Sequence, residues 1–463
     1  MNRNTLLLTG AALLALTGCD NPGTRCCPNT CGGDTVKLIT LDPGHFHAAL
    51  VQKRMFPGVS PKVHVYAPAG PDLSLHLDRI RGFNTRAEDP TSWESVVYTG
   101  PDFFDRMIAE RAGNVVVLAG NNARKTEYIL KSVQAGFHVL ADKPMAITPK
   151  DYELLKQAFE VARSKGVLLY DIMTERFEIT SVLQRELSRF PTVYGEQEKG
   201  TPDDPAVTKE SVHHFCKQVA GKPLQRPPWY YDTTQQGEAI VDVNTHLTDL
   251  IQWETFPGVA LTPADIKVLK ARVWPTPITL EQFKTSTSQT AWPDYLKKDL
   301  DAQGVLQCRA NGEFTYVIRG VHAKASVLWN FQPPAGAGDT HYSLMRGTRS
   351  SLIIQQGEAE GYKPVLYVEP RRVAGVNKEE LGRALTDAVA TLAKTYPGIS
   401  AEPHETGWRI IVPEQYAVGH EAHFGQVMEA FLGFLQNRDM PDWEVPNMLV
   451  KYHTLMEAYR LSR

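Results

Sequence analysis

Short apolar runs alternate with longer amphipathic stretches through the first third of the chain, a pattern that predicts strands separated by single helices. Val36–Leu41 reads as a buried strand running into Asp42-Pro43-Gly44-His45, with a helix from Ala48 onward. Further strands are expected over Lys62–Tyr66 and Ser95–Tyr98, followed by a helix over Asp102–Glu110. Strand Val115–Leu118 ends in Gly120-Asn121-Asn122, and a helix over Lys125–Ala135 leads through Gly136 into strand Phe137–Leu140, directly ahead of Asp142-Lys143-Pro144. Helix Pro149–Ser164 and strand Val167–Tyr170 close the series. Strands joined this way imply a parallel, doubly wound sheet whose ligands bind beyond the carboxyl ends of the strands. Asn121 and Lys143 both fall at such ends.

From about Phe177 the pattern changes to helices on a largely antiparallel sheet. Thr315–Gly320, Lys324–Phe331, His341–Arg346 and Ser351–Gln355 read as successive strands, with Pro333–Gly338 as a turn-rich loop. A helix over Glu379–Thr395, a strand around Trp408–Val412 and helices from about Glu421 and Pro446 read as an added segment. The expected fold class is therefore α/β, a Rossmann domain over residues 36–176 followed by an α+β domain over 177–463 built on an open sheet.

Candidate chemistry lies in two motifs about a hundred residues apart, Ala141-Asp142-Lys143-Pro144 and Asp242-Val-Asn-Thr-His246. A spacing of four places Asp242 and His246 on one helix face. Oxidising an alcohol to a ketone requires loss of a hydride from carbon and of a proton from oxygen. His246, an imidazole that titrates near neutrality when unperturbed, is expected to be the base, with Lys143 stabilising the oxygen and Asp242 orienting the imidazole or gripping a neighbouring hydroxyl. Arg226-Pro-Pro-Trp229-Tyr230-Tyr231-Asp232 brings aromatics on a stiff loop just before this helix, suited either to stacking on a sugar ring or to plugging the space between domains.

Three local patterns in this order resemble the glucose-fructose oxidoreductase and inositol dehydrogenase family (Gfo/Idh/MocA) over about residues 36–348. His138-Val-Leu-Ala-Asp142-Lys143-Pro144 is similar to the family's strand ending in Glu-Lys-Pro. Glu175-Arg176-Phe177 is similar to its Arg-Phe crossing, and Gly237 through Asp242, His246 and Asp249 to Trp253 resembles its Gly, Asp-x3-His, Asp signature. Arg346-Gly347-Thr348 is a weaker match to a strand-turn in its sheet, and the resemblance fades beyond Lys378. It implies NAD as cofactor, with NADP left open, held by Gly44, His45, Phe46, Asn121, Asn122, Asp142 and Lys143. It also implies a sugar or glycoside substrate near Arg176, Trp229, Tyr231, Asp242 and Asp249, and a homodimer or tetramer formed through the open sheet. A related branch of the family cleaves glycosides by transient oxidation, elimination and re-reduction. An inactive carbohydrate-binding protein is the reading of a different class.

The chain departs from the family at its phosphate turn. Gly-x-Gly-x-x-Gly is usual there, and Asp42-Pro-Gly44-His-Phe-His47 retains only the middle glycine, the one that lets backbone approach a pyrophosphate. The second strand offers no acidic residue until Asp72, while Arg79, Arg81 and Arg86 lie farther along. At the amino terminus, Asn2-Arg3, the apolar Leu6–Leu16 and Leu16-Thr17-Gly18-Cys19 look like a lipoprotein signal over residues 1–18, with Cys19 lipidated and residues 19–35 as a tether. The run is too short to span a bilayer, and the location expected is the periplasmic face of the cell envelope. Cys26, Cys27 and Cys31 suit either a disulfide or a thiolate metal site. Cys216 and Cys308 read as small buried hydrophobes, and His420-Glu-Ala-His423 as residues flanking a pocket or capping a helix. A formal charge of -3 over 463 residues with no basic cluster carries no nucleic-acid signature.

Overall fold

The computed structural model describes residues 35–219 and 222–463, so the expected signal sequence, Cys19, Cys26, Cys27 and Cys31 lie outside the described residues. Strands β1 (Leu38–Leu41), β2 (Lys62–Tyr66), β3 (Glu94–Tyr98), β4 (Val115–Leu118), β5 (His138–Asp142) and β6 (Leu169–Ile172) form one parallel sheet in the order β3-β2-β1-β4-β5-β6. Strands β1, β4 and β6 are buried throughout and apolar on both faces because helices cover both sides of the sheet there, whereas the edge strand β3 is largely exposed. Strand order reverses between β1 and β4, which opens a crevice at their carboxyl ends.

Helices α3 (Phe103–Glu110), α4 (Asn122–Gln134) and α5 (Pro149–Lys165) match the apolar periodicity. Thr148 and Asp151 form a capping box at the start of α5, Pro149 occupies its first turn, and Gly166 ends it at φ 66°. Two helices differ from expectation. The one expected from Ala48 is a single turn, α1 (His47–Leu50), after which the chain is held by ion pairs of Lys53 with Glu421 and Arg54 with Glu429. A full helix, α2 (Pro71–Thr85), follows β2, with Pro71 in its first turn and Leu73, His76 and Ile80 buried.

The crossing Thr174–Phe177 is a 3-10 turn and leads into α6 (Ile179–Ser188) and β7 (Val207–His214). The short pair β8 (Gln218–Val219) and β9 (Lys222–Pro223), α7 (Thr233–Gln236) and α8 (Asn244–Thr255) come next. Then follow β10 (Ile266–Ile278), α9 (Leu280–Thr287), β11 (Leu306–Ile318), β12 (Val321–Asn330), β13 (Thr340–Arg346), β14 (Ser350–Gln356) and β15 (Val365–Pro370). The chain ends with α10 (Lys378–Leu392), β16 (Ser400–His404), β17 (Gly407–Ile411), α11 (His420–Asn437) and α12 (Glu444–Leu461). The second sheet runs β10-β11-β12-β7-β13-β14-β15-β17-β16, antiparallel except for the β12–β7 pair. Helices α6 and α8 pack on it.

The last third of the chain is part of this architecture. Strands β15, β17 and β16 continue the sheet, whereas α11 and α12 return to the first domain. The Tyr452 hydroxyl accepts from the Met145 backbone at 2.9 Å, and Lys451 bonds Asp171 on β6 at 2.6 Å and Asp249 on α8 at 2.9 Å. The expected boundary at Phe177 therefore separates two sheets that one C-terminal helix joins. Among the described residues no helix is long and apolar enough to cross a membrane.

Candidate active site

Lys143 follows β5, and its Nζ lies 2.7 Å from Asp242 Oδ1, joining the end of one sheet to the segment before α8. Both side chains are largely buried, at 10% and 7% exposure. Asp242 sits in the turn that precedes α8 and His246 in the helix's first turn, so the expected placement of both on one helix face is corrected: Asp242 lies outside the helix, and it is Lys143 that both residues face. The carboxylate grips the lysine rather than the imidazole. His246 is buried and its Nδ1 has no partner. Burial, reinforced by Lys143, pushes its pKa down to about 3. The expected titration near neutrality is thus corrected: the imidazole is neutral because a charged ring would lose its hydration.

Glu175 opposes this, since its charge favours the protonated ring of His246. It bonds His420 Nδ1 at 3.2 Å, bringing the first turn of α11 to the same cleft, with both groups partly exposed. Burial acts to raise the Glu175 carboxyl, yet His420, His246 and His423 hold it below its usual range. His420 and His423 flank the cleft, as the sequence suggests. His47 and Glu175 are functional candidates to which the sequence assigned no role. Only His47 carries a local signal, because it stands where the third glycine of the phosphate turn is usual.

The turn after β1 lines the crevice at the strand-order reversal. A Cβ on Gly120 would lie 2.1 Å from the Asp42 carbonyl, so only glycine lets the ends of β4 and β1 approach this closely. A Cβ on Gly44 would meet the Trp229 ring at 3.0 Å and Asp72 Oδ2 at 3.1 Å. Phe46 precedes α1, and its ring leans on His45 at 4.6 Å. Asn121 caps α4 by accepting from the Ala123 amide and donates to Gln235 at 2.7 Å; Asn122 donates to the Gln236 carbonyl at 2.7 Å. Asp142 accepts from or shares a proton with His47 Nδ1 at 2.9 Å.

These residues fit a dinucleotide. The crevice is at the reversal point, and Asp72 stands beside the turn with one carboxylate oxygen taken by Trp229 and the other left as an acceptor for ribose hydroxyls. The single turn of α1 supplies little of the helix dipole that usually meets the pyrophosphate.

Four expected substrate contacts are engaged elsewhere. Arg176 makes paired bonds to Asp249 at 2.6 and 2.8 Å and bonds Glu444 at 2.9 Å, in a buried network that Lys451 completes. With every partner buried, Arg176 and Asp249 fasten the crossing to α8 and α12. Trp229 donates to Asp72 at 2.8 Å and covers Gly44. Tyr231 is 1% exposed, stacks on Phe215 and bonds Ser286 at 2.6 Å. The aromatic loop is a packing plug between domains. Cys308 is buried and Cys216 half-buried.

A family model described as "Oxidoreductase family, NAD-binding Rossmann fold" (GFO_IDH_MocA) matches residues 81–171, and one described as "Putative oxidoreductase C terminal domain" matches residues 183–463. The chain belongs to the Gfo/Idh/MocA oxidoreductase family. Its first domain is the family's NAD-binding Rossmann domain, and the second match, to a separate C-terminal domain model, continues past Lys378 to residue 463. A crystal structure described as "a putative oxidoreductase from Parabacteroides merdae" is 53% identical, with a TM-score of 0.89 over 93% of this chain and 98% of that one. The fold is shared with a 3-ketoreductase from Actinomadura kijaniata crystallised with NADP and TDP-benzene, at 15% identity and TM-score 0.53 over 92% of this chain and 97% of that one. It is shared as well with GenD2 from gentamicin A biosynthesis in complex with NAD, at 16% identity and TM-score 0.53 over 95% and 97%. No curated protein matches the sequence.

Proposed function

We propose that this oxidoreductase converts a hydroxyl of a sugar or glycoside to a ketone, at the cell envelope and with a tightly held NAD. The observation that carries the reading is the buried Lys143–Asp242 pair with the neutral imidazole of His246 in the same cleft. The Gly44 turn, Asp72 and the Asn121 end of β4 would hold NAD, which would supply the hydride acceptor. Asp242 fixes the Lys143 ammonium, which stabilises negative charge developing on the hydroxyl oxygen. His246 is uncharged above about pH 3; burial makes it a weak base, and Glu175, whose charge favours the protonated ring, is the group that helps it take the hydroxyl proton. Asp72 beside Gly44 favours NAD over NADP, because a carboxylate repels a 2′-phosphate. A ketoreductase on the same fold is in keeping with alcohol–carbonyl chemistry.

Export past the cytoplasmic membrane, supported by Leu6–Leu16 and Cys19, removes the protein from cytosolic dinucleotide, so resident NAD is expected. Purified protein mixed with candidate glycosides and no added NAD should turn over repeatedly with little net NADH. Strict dependence on added NAD with stoichiometric NADH release would refute the resident cofactor. Membrane fractions should hold the wild type, and Cys19→Ala should release it or leave it unprocessed.

The Glu175–His420 pair favours a second reading, redox-neutral glycoside cleavage, because elimination beside a ketone needs an acid-base pair in addition to the groups that move the hydroxyl proton. Release of the chromophore from an aryl glycoside, without accumulation of ketone, separates this outcome from net oxidation.

A further inference from the structure

We propose that His45, His47 and Asp142 form a binding site for a single divalent transition-metal ion. One donor atom from each lies within 4.8 Å of the others. His47 Nδ1 is 2.9 Å and His45 Nδ1 3.6 Å from Asp142 Oδ2. These separations bracket the roughly 3.3 Å between ligand atoms that metal–nitrogen and metal–oxygen bonds of about 2.0–2.2 Å give in a tetrahedral shell.

An ordinary hydrogen bond explains His47 and leaves two atoms unexplained. His45 Nδ1 and Asp142 Oδ1 are buried without a hydrogen-bond partner, and 3.6 Å is too long for a bond between His45 and the carboxylate. A cation among the three groups would satisfy His45 Nδ1 together with His47 Nδ1 and the Asp142 Oδ2 that both face, and Asp142 Oδ1 would be satisfied as well where the carboxylate binds through both oxygens.

Neighbouring cations are already committed to other partners. Lys143 pairs with Asp242, and Lys125 donates to the Asp142 main-chain carbonyl at 2.9 Å. The imidazoles are fixed in place: Tyr230 stacks parallel to His45, and Phe424 packs on His47 at 4.6 Å. Two neutral nitrogens and one carboxylate suit zinc, cobalt or nickel better than magnesium or calcium, which take mostly oxygen. Three protein ligands leave a position for water or another oxygen donor, the composition of an open rather than a closed zinc site. The third-glycine position of the turn would then be occupied by a ligand, His47.

The test uses the full chain, stripped with a chelator and titrated with cobalt(II) and with zinc. About one equivalent should bind, the cobalt protein should show ligand-field bands without thiolate charge transfer, and zinc should raise the melting temperature. His45→Ala and His47→Ala should each weaken binding by about 100-fold or more, while His423→Ala, a buried neighbour outside the cluster, and the triple Cys26, Cys27 and Cys31 change to Ser should bind as wild type. Undiminished binding in folded His47→Ala overturns the site. Should the histidine variants not fold, the wild-type spectrum decides: thiolate bands, or no uptake at saturating metal, overturn it.

Discussion

Lys143 and His246 lie in one cleft with opposite electrostatic surroundings: the lysine has a carboxylate 2.7 Å away, whereas the imidazole has an unpartnered nitrogen. Lys143→Met and His246→Ala should each lower turnover about 10²- to 10⁴-fold, with folding and nucleotide content near wild type. Activity close to wild type in either would remove that residue from the mechanism. Because burial holds His246 at about 3, kcat/KM should show no limb near pH 6.5. A limb there that His246→Ala abolishes would mean that water hydrates the ring in the working enzyme. Arg176 belongs to a different class of residue. Removing its side chain strands Asp249 and Glu444 as buried carboxylates, so Arg176→Ala should cost about 3–5 kcal/mol in denaturant unfolding.

At the scale of elements, the site depends on how closely β1 and β4 approach. A methyl group on Gly120 would overlap the Asp42 carbonyl, and the strand ends would have to separate. Gly120→Ala should therefore lower the melting temperature and deplete bound dinucleotide together; retention of nucleotide at wild-type level would show that the crevice tolerates the shift. Helix α11 is the other decisive element. It delivers His420 to Glu175 and packs Phe424 on His47, and its ion pairs with Lys53 and Arg54 hold the chain that leaves α1 after a single turn.

At the scale of the whole molecule, histidines are buried both away from the cleft, as His76 is, and at its edge, as His423 is. Both ring nitrogens of His76 lack partners, and burial lowers its pKa to about 3; burial likewise lowers His423 to about 4. Each ring is neutral in the fold and protonates in the unfolded chain below about pH 6.5. Below that pH the unfolded state binds more protons, so the stability these groups contribute is fully present above 6.5 and is lost as pH falls toward 4 and 3. The melting temperature should stay level from pH 8 to 7 and fall steadily below 6.5. His76→Leu should flatten part of that slope, and an unchanged slope would place the acid sensitivity elsewhere.

Periodicity and turn residues determined the Rossmann alternation, the antiparallel strands and the order of the Lys143 and His246 motifs, because each is written within a few residues of local chain. The start of α2 was legible in Pro71 and the spacing of Leu73 and Ile80, although its presence was not anticipated. Tertiary structure alone decided who partners whom. Asp242 turned to Lys143 because β5 ends opposite the start of α8, Arg176 was claimed by Glu444 from 268 positions away, and His420 reached Glu175 across 245. The His246 pKa was likewise beyond the sequence, since composition gives an imidazole its ordinary value and only the enclosing fold removes the water that supports its charge.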